Sequence, residues 1–398
     1  MCYMDNGLRT LREPDTAEVP QRTHRREGNM LKKFASVMVA LVASLAMAAS
    51  AQAADETVVG TTEVKPISGP LYQSKPVPVN LTIRAEVTTP VSSPKVNPLK
   101  NTTTTFPKGV TFNPDNKKTP PCTDAMLSNS SNLADPEGVV AACPKSIVGT
   151  GVSAIIIAKI NNNPNTVISD PILILFNAGT DSQGRAKIKI YGYSKYTNVG
   201  ILMHGTVINS VLDVAVPVLS NDSATRFYEF QMPGAPLVRD DLGINVKGLD
   251  SGYVEAVCPA SGELFTNTKF VLGERTYPGG VDTTPSVTVN SPETVQNCNG
   301  QVGKAKLAVK VTGPKSVKSG KKGVFKVTVT NNGTGIAKGV KVTATGGGKG
   351  SAGNLNPGAK KTVKVKTKVT GRKGSKKTLT FTAKGGATAK GKIKVKVK

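Results

Sequence analysis

The chain has 398 residues and a formal net charge of +26, and this charge is unevenly distributed. Residues 1–300 contain 26 Lys and Arg against 26 Asp and Glu, whereas residues 301–398 contain 26 Lys and Arg and no acidic residue. With no Trp, 5% aromatic residues, 40 Gly and 26 Pro, the composition argues against a large helical enzyme and favours a turn-rich β protein. Recurring apolar segments exclude a disordered chain.

Residues 30–53 have the pattern of a secretory signal peptide: two lysines, an apolar segment, and then small residues. A transmembrane anchor is the alternative, but it needs about 20 apolar residues, a length reached here only by including the alanine-rich cleavage region. Residues 1–29 are polar and are interpreted as an extension upstream of a true start at Met30. We therefore expect a secreted, extracellular protein whose retention at a cell surface would be noncovalent.

Four cysteines follow this leader, and an even number in an exported chain favours disulfides. Three pairings are possible, and the simplest joins sequence neighbours, Cys122 with Cys143 and Cys258 with Cys298. A zinc site is the alternative, but CxxC spacing is absent and His204 is the single histidine after the leader. We therefore expect neither a metal nor a cofactor.

Residues 54–118 are rich in Pro and Thr, contain one alternating strand at 78–87, and are predicted to form an extended lead-in. Across 119–285, short β-rich runs are separated by turn residues, which is the spacing of an antiparallel β-sandwich. A polar linker is predicted at 286–303.

Residues 304–398 are predicted to form a separate Ig-like domain, because six strand-like segments occur within 95 residues. Along these segments Val, Leu, Phe and Ile alternate with Lys or Thr, so one face is buried and the lysines form the solvated face. The expected fold class is therefore all-β: an antiparallel β-sandwich main domain followed by a C-terminal Ig-like β-sandwich.

Two turns in this C-terminal region resemble those of bacterial CARDB-type (cell-adhesion-related) Ig-like modules: an Asn-Gly turn at 331–333 and a Leu-x-Pro-Gly turn at 355–358. The resemblance implies a spacer or adhesive role on a secreted or surface protein. The main domain is similar to uncharacterised secreted proteins of high-GC actinobacteria in the segments FPKGVTFNP, ACPKSIVGTG and YVEAVCPASGELF. No particular activity can be inferred from that similarity.

The sequence contains two glycine motifs that occur in nucleotide-binding enzymes, but neither has the surrounding secondary structure that the motif requires. Residues 149–154 and 348–353 fit GxGxxA and GxGxxG, but neither segment opens a helix in a βαβ unit, so both are interpreted as loops. His204 lies in an apolar run and is expected to be a core or edge histidine. Two carboxylate pairs are expected to be solvated loop residues, so no catalytic residue is predicted: Asp240 with Asp241, and Glu255 with Glu263.

The lysines of residues 304–398 are the candidate binding residues. They number 25 against one arginine, Arg372, and the two aromatic residues, Phe325 and Phe381, lie on predicted strands. Nucleic-acid binders use arginine forks for base edges or aromatic platforms for stacking, so no specific nucleic-acid partner is expected. Two hypotheses remain: diffuse attraction to anionic surface polymers, or lysines that keep an exposed sheet soluble and guard its edges.

The proposed polyanion site is formed by two lysine triads, which are predicted to lie side by side on neighbouring strands: Lys364, Lys366 and Lys368, and Lys392, Lys394 and Lys396. Like charges opposite one another cost stability unless an anionic partner is present. The expected function is a secreted, noncatalytic, cell-envelope-associated or adhesive protein. The alternative is a secreted carbohydrate-active or other hydrolytic enzyme with its site in the main domain.

Overall fold

The structure is a computed structural model, and it describes residues 56–89, 96–128, 132–157, 166–277 and 280–398. The predicted upstream extension (1–29) and signal peptide (30–53) lie outside these residues. The protein is all-β, as its sequence predicts: 56% of the described residues lie in strands and 5% in helices. None of the helices in the described segments has the length and hydropathy of a membrane span.

The described residues of the main body, which extends over 56–297, form seventeen strands and two short α-helices. The helices are α1 (Asp124–Ser128) and α2 (Pro136–Ala142). The strands are β1 (Thr57–Pro66), β2 (Val77–Thr88), β3 (Leu99–Thr105), β4 (Val110–Phe112), β5 (Ile147–Ile157), β6 (Thr166–Ile168), β7 (Ile172–Thr180), β8 (Ala186–Ser194), β9 (Val199–Ile208), β10 (Val211–Ala215), β11 (Ser223–Met232), β12 (Leu237–Arg239), β13 (Ile244–Val246), β14 (Val254–Ala256), β15 (Glu263–Leu272), β16 (Val287–Asn290) and β17 (Thr294–Asn297).

Most of these strands form one 15-stranded sheet whose main path is β16-β15-β3-β10-β9-β8-β7-β5-β11-β2-β14-β4. Three further strands join it at the side: β1 pairs with β2, β17 with β15, and β6 with β5. Strands β12 and β13 form a separate hairpin. All the strand pairs of the main body are antiparallel, so neighbouring strands run in opposite directions along the whole path.

The structure corrects two predictions of the domain organisation. Residues 54–118 were predicted to be an extended lead-in, but β1, β2 and β3 are long members of the sheet. Residues 286–303 were predicted to be a linker, but β16 and β17 both pair with β15. The inward positions of β1 include Gly60 and Thr62, and β3 is mostly threonine, so apolar alternation is weak although β-branched threonine suits a strand.

The sheet folds over on itself, because β1, at the side of β2, contacts β15 near the other end of the path. Thr294 Oγ1 donates a hydrogen bond to the Gly60 carbonyl at 3.2 Å. Gly60 allows the close approach, since a Cβ at this position would lie 2.7 Å from the Cβ of Thr268. One hydrophobic core therefore contains inward side chains from both halves of the sheet, for example Ile83 and Phe270.

Strands β7 and β8 are buried on both faces, which explains the continuous apolar sequence ILILF. Their outer face packs under α1, α2 and the β12–β13 hairpin, in a second core that includes Ile174, Phe176 and Tyr191. The disulfide between Cys122 and Cys143 lies in this second core. A second disulfide joins Cys258, after β14, to Cys298, after β17, so both pairs follow the predicted neighbour pairing.

The C-terminal domain, residues 304–398, consists of two sheets packed around a core of its own. Its strands are β18 (Leu307–Thr312), β19 (Ser316–Val317), β20 (Lys322–Asn331), β21 (Ala337–Ala344), β22 (Lys349–Leu355), β23 (Lys360–Lys368), β24 (Lys376–Lys384) and β25 (Thr388–Val397). The orders are β18-β20-β23 in one sheet and β19-β25-β24-β21-β22 in the other. Phe325 and Phe381 meet in the core, with ring centroids 5.3 Å apart.

Candidate functional site

The first predicted lysine triad lies on the three-stranded sheet of the C-terminal domain. Lys364, Lys366 and Lys368 are exposed on β23, and their side chains alternate with the buried Val365 and Thr367. Across the strand pair, Lys364 is opposite Lys326 and Lys368 is opposite Lys322 on β20. This outward face therefore carries directly opposed positive charges.

The second triad lies on the other sheet. Lys392, Lys394 and Lys396 are exposed on β25, next to β24, where their opposite residues are Thr380, Thr378 and Lys376. The prediction that the two triads lie side by side is therefore wrong: they occupy the outward faces of two different sheets. Alternation showed which residues face the solvent, but it does not show which strands are neighbours.

Both outward faces carry lysines without a counterion in the described part of the chain. The described strand pairs contain four opposed lysine pairs: Lys322 with Lys368, Lys326 with Lys364, Lys341 with Lys384, and Lys376 with Lys396. Residues 301–398 contain no Asp or Glu, and none of the salt bridges between described residues reaches this domain. Opposed like charges destabilise a sheet unless solvent ions or a bound anion screen them.

The aromatic residues of this domain are not available for stacking. Phe325 and Phe381 are fully buried in the core. The single arginine, Arg372, lies in the turn between β23 and β24. The exposed faces therefore offer ammonium groups and threonine hydroxyls, which attract anions without selecting a base sequence.

The residues considered for catalysis do not converge. His204 was expected in the core or at an edge, but it is exposed on β9, in the interior of the sheet path, so that expectation is wrong. Asp241 forms ion pairs with Arg239 and Lys195, and hydrogen bonds from these two cations hold the pKa of its carboxyl far below the usual range.

The two carboxylates of the other pair lie on different strands. Glu255 lies on β14 opposite Pro78 and Thr111, whereas Glu263 lies on β15 opposite Asn297. Within the described residues, no group of three His, Cys, Asp or Glu side chains is arranged to hold a metal ion.

Sequence analysis missed an apolar cavity of about 380 Å³ inside the folded-over sheet of the main body. Strands β3, β5, β7, β8, β9, β10 and β11 form its walls, and among the residues that the structure describes no charged side chain lines it. The apolar lining includes Leu173, Ile190, Ile201, Met203, Leu212, Val214 and Phe230.

The wall of the cavity contains a small cluster of buried hydroxyl groups. Thr102 Oγ1 and Tyr228 Oη lie 3.1 Å apart, and Thr104 belongs to the same wall. Burial raises the pKa of the Tyr228 phenol, so it remains a neutral donor and acceptor. Ser153 also lines the cavity, but its hydroxyl donates to the Phe227 carbonyl at 2.7 Å.

Small residues at inward positions leave this space open. Gly192 lies between the inward-facing Ile190 and the end of β8, and a Cβ there would lie 3.3 Å from Ile201 Cγ1 and 3.4 Å from Leu173 Cδ2, so it would press on two side chains that line the cavity. The GxGxxA segment 149–154 was interpreted as a loop, but it lies within strand β5. It includes Ser153, which lines the cavity. Glycine and serine on inward strand positions were the available sequence signal for the cavity.

Comparison with known proteins assigns no family to this chain. No protein-family model matches it. No curated protein matches it either.

Proposed function

We propose that this chain is an exported, noncatalytic component of the cell envelope whose C-terminal domain binds anionic surface polymers. The observation that carries the proposal is the presence of unpaired, exposed lysines on the outward faces of both sheets of that domain. A lysine near an anionic membrane surface contributes up to about 1 kcal/mol. Micromolar attachment corresponds to about 8 kcal/mol, so about eight such lysines from the two faces would have to act together in low salt.

Charge distribution along the chain supports the same assignment. From residue 54 to 300 there are 19 basic and 21 acidic residues, so the main body is nearly neutral and the attraction belongs to one domain. The CARDB-type resemblance of that domain points to a surface or adhesive module. Both disulfides fit an oxidising compartment outside the cytosol.

The test measures binding of the purified protein to polyglycerol phosphate and to vesicles with or without anionic lipid. We expect binding to both anionic probes at about 50 mM salt and release as ionic strength rises, because exposed charges are screened within about 8 to 10 Å. Retention that does not depend on salt, or no retention at low salt, would contradict the proposal. Double-stranded DNA is expected to bind no more tightly than polyphosphate of equal charge.

Two triad variants and a control, each of which removes three positive charges, locate the binding surface. Replacing the triad of β23 or the triad of β25 by glutamine should weaken binding. A fourth variant that replaces both triads should weaken it further, since the triads lie on separate sheets. The matched control replaces three exposed lysines of the main body: Lys75, Lys108 and Lys117. Equal weakening by the control would show that net charge alone is responsible.

A further inference from the structure

We propose that the cavity of the main body binds an uncharged, mostly apolar molecule with a single hydroxyl-sized polar group, such as a long-chain or isoprenoid alcohol. This inference does not depend on the lysines of the C-terminal domain. It rests on the size of the cavity, on the uncharged side chains of the described residues that line it, and on the position of its hydroxyl cluster.

The size of the cavity fits a small lipid. Its volume of about 380 Å³ lies within the range of roughly 300 to 1,000 Å³ that small-molecule sites occupy. Packed protein interiors contain few voids larger than a water molecule. A space of this size among aliphatic side chains would be costly to keep empty, and a bound apolar molecule would restore the missing dispersion contacts.

The walls select against a charged ligand. Twenty-nine of the described residues line the cavity, and they are aliphatic, aromatic, methionine, proline, glycine, serine or threonine. The buried Lys189 lies on β8 beside Ile190 but faces the opposite side, where it binds the Cys122 carbonyl and Asp124. A carboxylate moved into this cavity would lose its hydration without gaining a cation, which is strongly unfavourable.

The hydroxyl cluster provides one polar position. Thr102 and Tyr228 share one hydrogen bond, which leaves further acceptor capacity on both oxygens. An alcohol on the ligand can donate to this pair, whereas an alkane leaves it unchanged. The cluster therefore orients an amphiphile with its hydroxyl against the β3–β11 wall.

Apolar side chains at the end of the sheet mark an approach to the cavity. This end is formed by the starts of β3, β7, β9 and β11 and by the ends of β8 and β10. Val199 and Leu219 line the cavity and still expose 39% and 36% of their surface. Serine and threonine residues surround them, and these suit a rim between water and an apolar interior: Ser194, Thr197, Ser220 and Ser223.

The test uses the purified protein and N-phenyl-1-naphthylamine, an uncharged fluorophore that brightens in apolar surroundings. We expect saturable binding of one fluorophore per chain, and displacement by 1-decanol at a concentration at least tenfold lower than by decanoate at pH 8. Absence of saturable binding, or displacement by decanoate as effective as by decanol, would overturn the proposal.

Two filling variants on different strands place the ligand. Gly192→Leu on β8 and Val214→Phe on β10 each add volume to the cavity, so a variant that retains the wild-type circular dichroism should lose at least tenfold in affinity. Ala215→Leu adds volume on the exposed side of β10 and is the matched control, with unchanged affinity. Normal binding by a folded filling variant would mean that the fluorophore binds elsewhere.

Tyr228→Phe tests the polar position. The change preserves the volume of the ring and removes one hydroxyl, so the fluorophore should bind as before while the affinity for decanol falls severalfold. An unchanged affinity for decanol would show that the hydroxyl cluster does not contact the ligand.

Discussion

The side-chain amide of Gln296 makes the two hydrogen bonds to the Val64 backbone that a neighbouring strand would otherwise make. Its Oε1 accepts from the Val64 backbone amide at 2.8 Å, and its Nε2 donates to the Val64 carbonyl at 3.0 Å. Both Val64 groups face away from β2 and toward β17, and the valine side chain is buried. One side chain thus makes the two hydrogen bonds of a β-bridge where the two ends of the sheet meet.

Gln296→Leu should therefore lower the free energy of unfolding by about 2 kcal/mol, because buried backbone groups left without partners cost roughly 1 to 3 kcal/mol. Urea unfolding followed by circular dichroism measures this. Val295→Ala, at the exposed neighbouring position on the same strand, should stay within about 0.5 kcal/mol of the wild type. Equal effects of the two substitutions would mean that the amide contributes nothing specific.

Asn331 has a similar role in the C-terminal domain. Its Nδ2 donates to the carbonyls of Gly335 and Leu355 at 2.8 and 2.9 Å, and its Oδ1 accepts from the backbone amides of Lys306 and Gly333. This fully buried side chain therefore connects the two turns that carry the CARDB-type resemblance.

Asn331→Ala should destabilise the protein by at least about 2 kcal/mol, since the two carbonyls lose buried donors. The adjacent and exposed Asn332→Ala is the control and should change the free energy of unfolding by less than about 0.5 kcal/mol. Thermal and urea unfolding of the two variants make the comparison. A mild effect at Asn331 would show that water replaces its hydrogen bonds.

Low pH should weaken a cluster of ion pairs at the start of β3, in which Lys100 and Arg275 both contact Asp282. Hydrogen bonds from Arg275 and from the buried Lys100 lower the pKa of Asp282 to about 2. Because this folded-state pKa is below the unfolded value of about 3.9, the contribution to stability is complete above pH 4 and is lost as the pH falls through 2.

Asp282→Asn should therefore lower the urea midpoint at pH 7, where Lys100 loses its counterion, and should flatten the decline in midpoint between pH 4 and pH 2. Asp115→Asn, at an exposed position, is the control for changing one carboxylate. Parallel pH profiles for wild type and Asp282→Asn would contradict this role of the cluster.

Each disulfide should contribute separately to stability. In the chain-entropy model, closing the 21-residue separation of Cys122–Cys143 and the 40-residue separation of Cys258–Cys298 is worth about 3 to 4 kcal/mol apiece. Paired serine substitutions should lower the free energy of unfolding by these amounts, with the longer loop costing slightly more. Reductant should lower the wild-type stability and leave the four-serine variant unchanged.

The sequence determined those properties that depend on neighbouring residues. Alternation with a period of two follows from strand geometry, so it identified an all-β chain and the solvated lysines of β23 and β25. Cysteine number and order predicted both disulfides. The strands β1 and β3 were missed because their inward positions are occupied by Gly60 and threonines, which carry little apolar signal.

The tertiary structure decided what depends on distant parts of the chain. Which strands are neighbours results from pairing over long separations, such as β15 with β3, so only the structure shows that the two lysine triads lie on separate sheets. The cavity is likewise a shared property of seven strands. Its volume is what remains after side chains from residue 98 to residue 230 have packed, and inward glycine and serine residues fit a filled core as well as an open one.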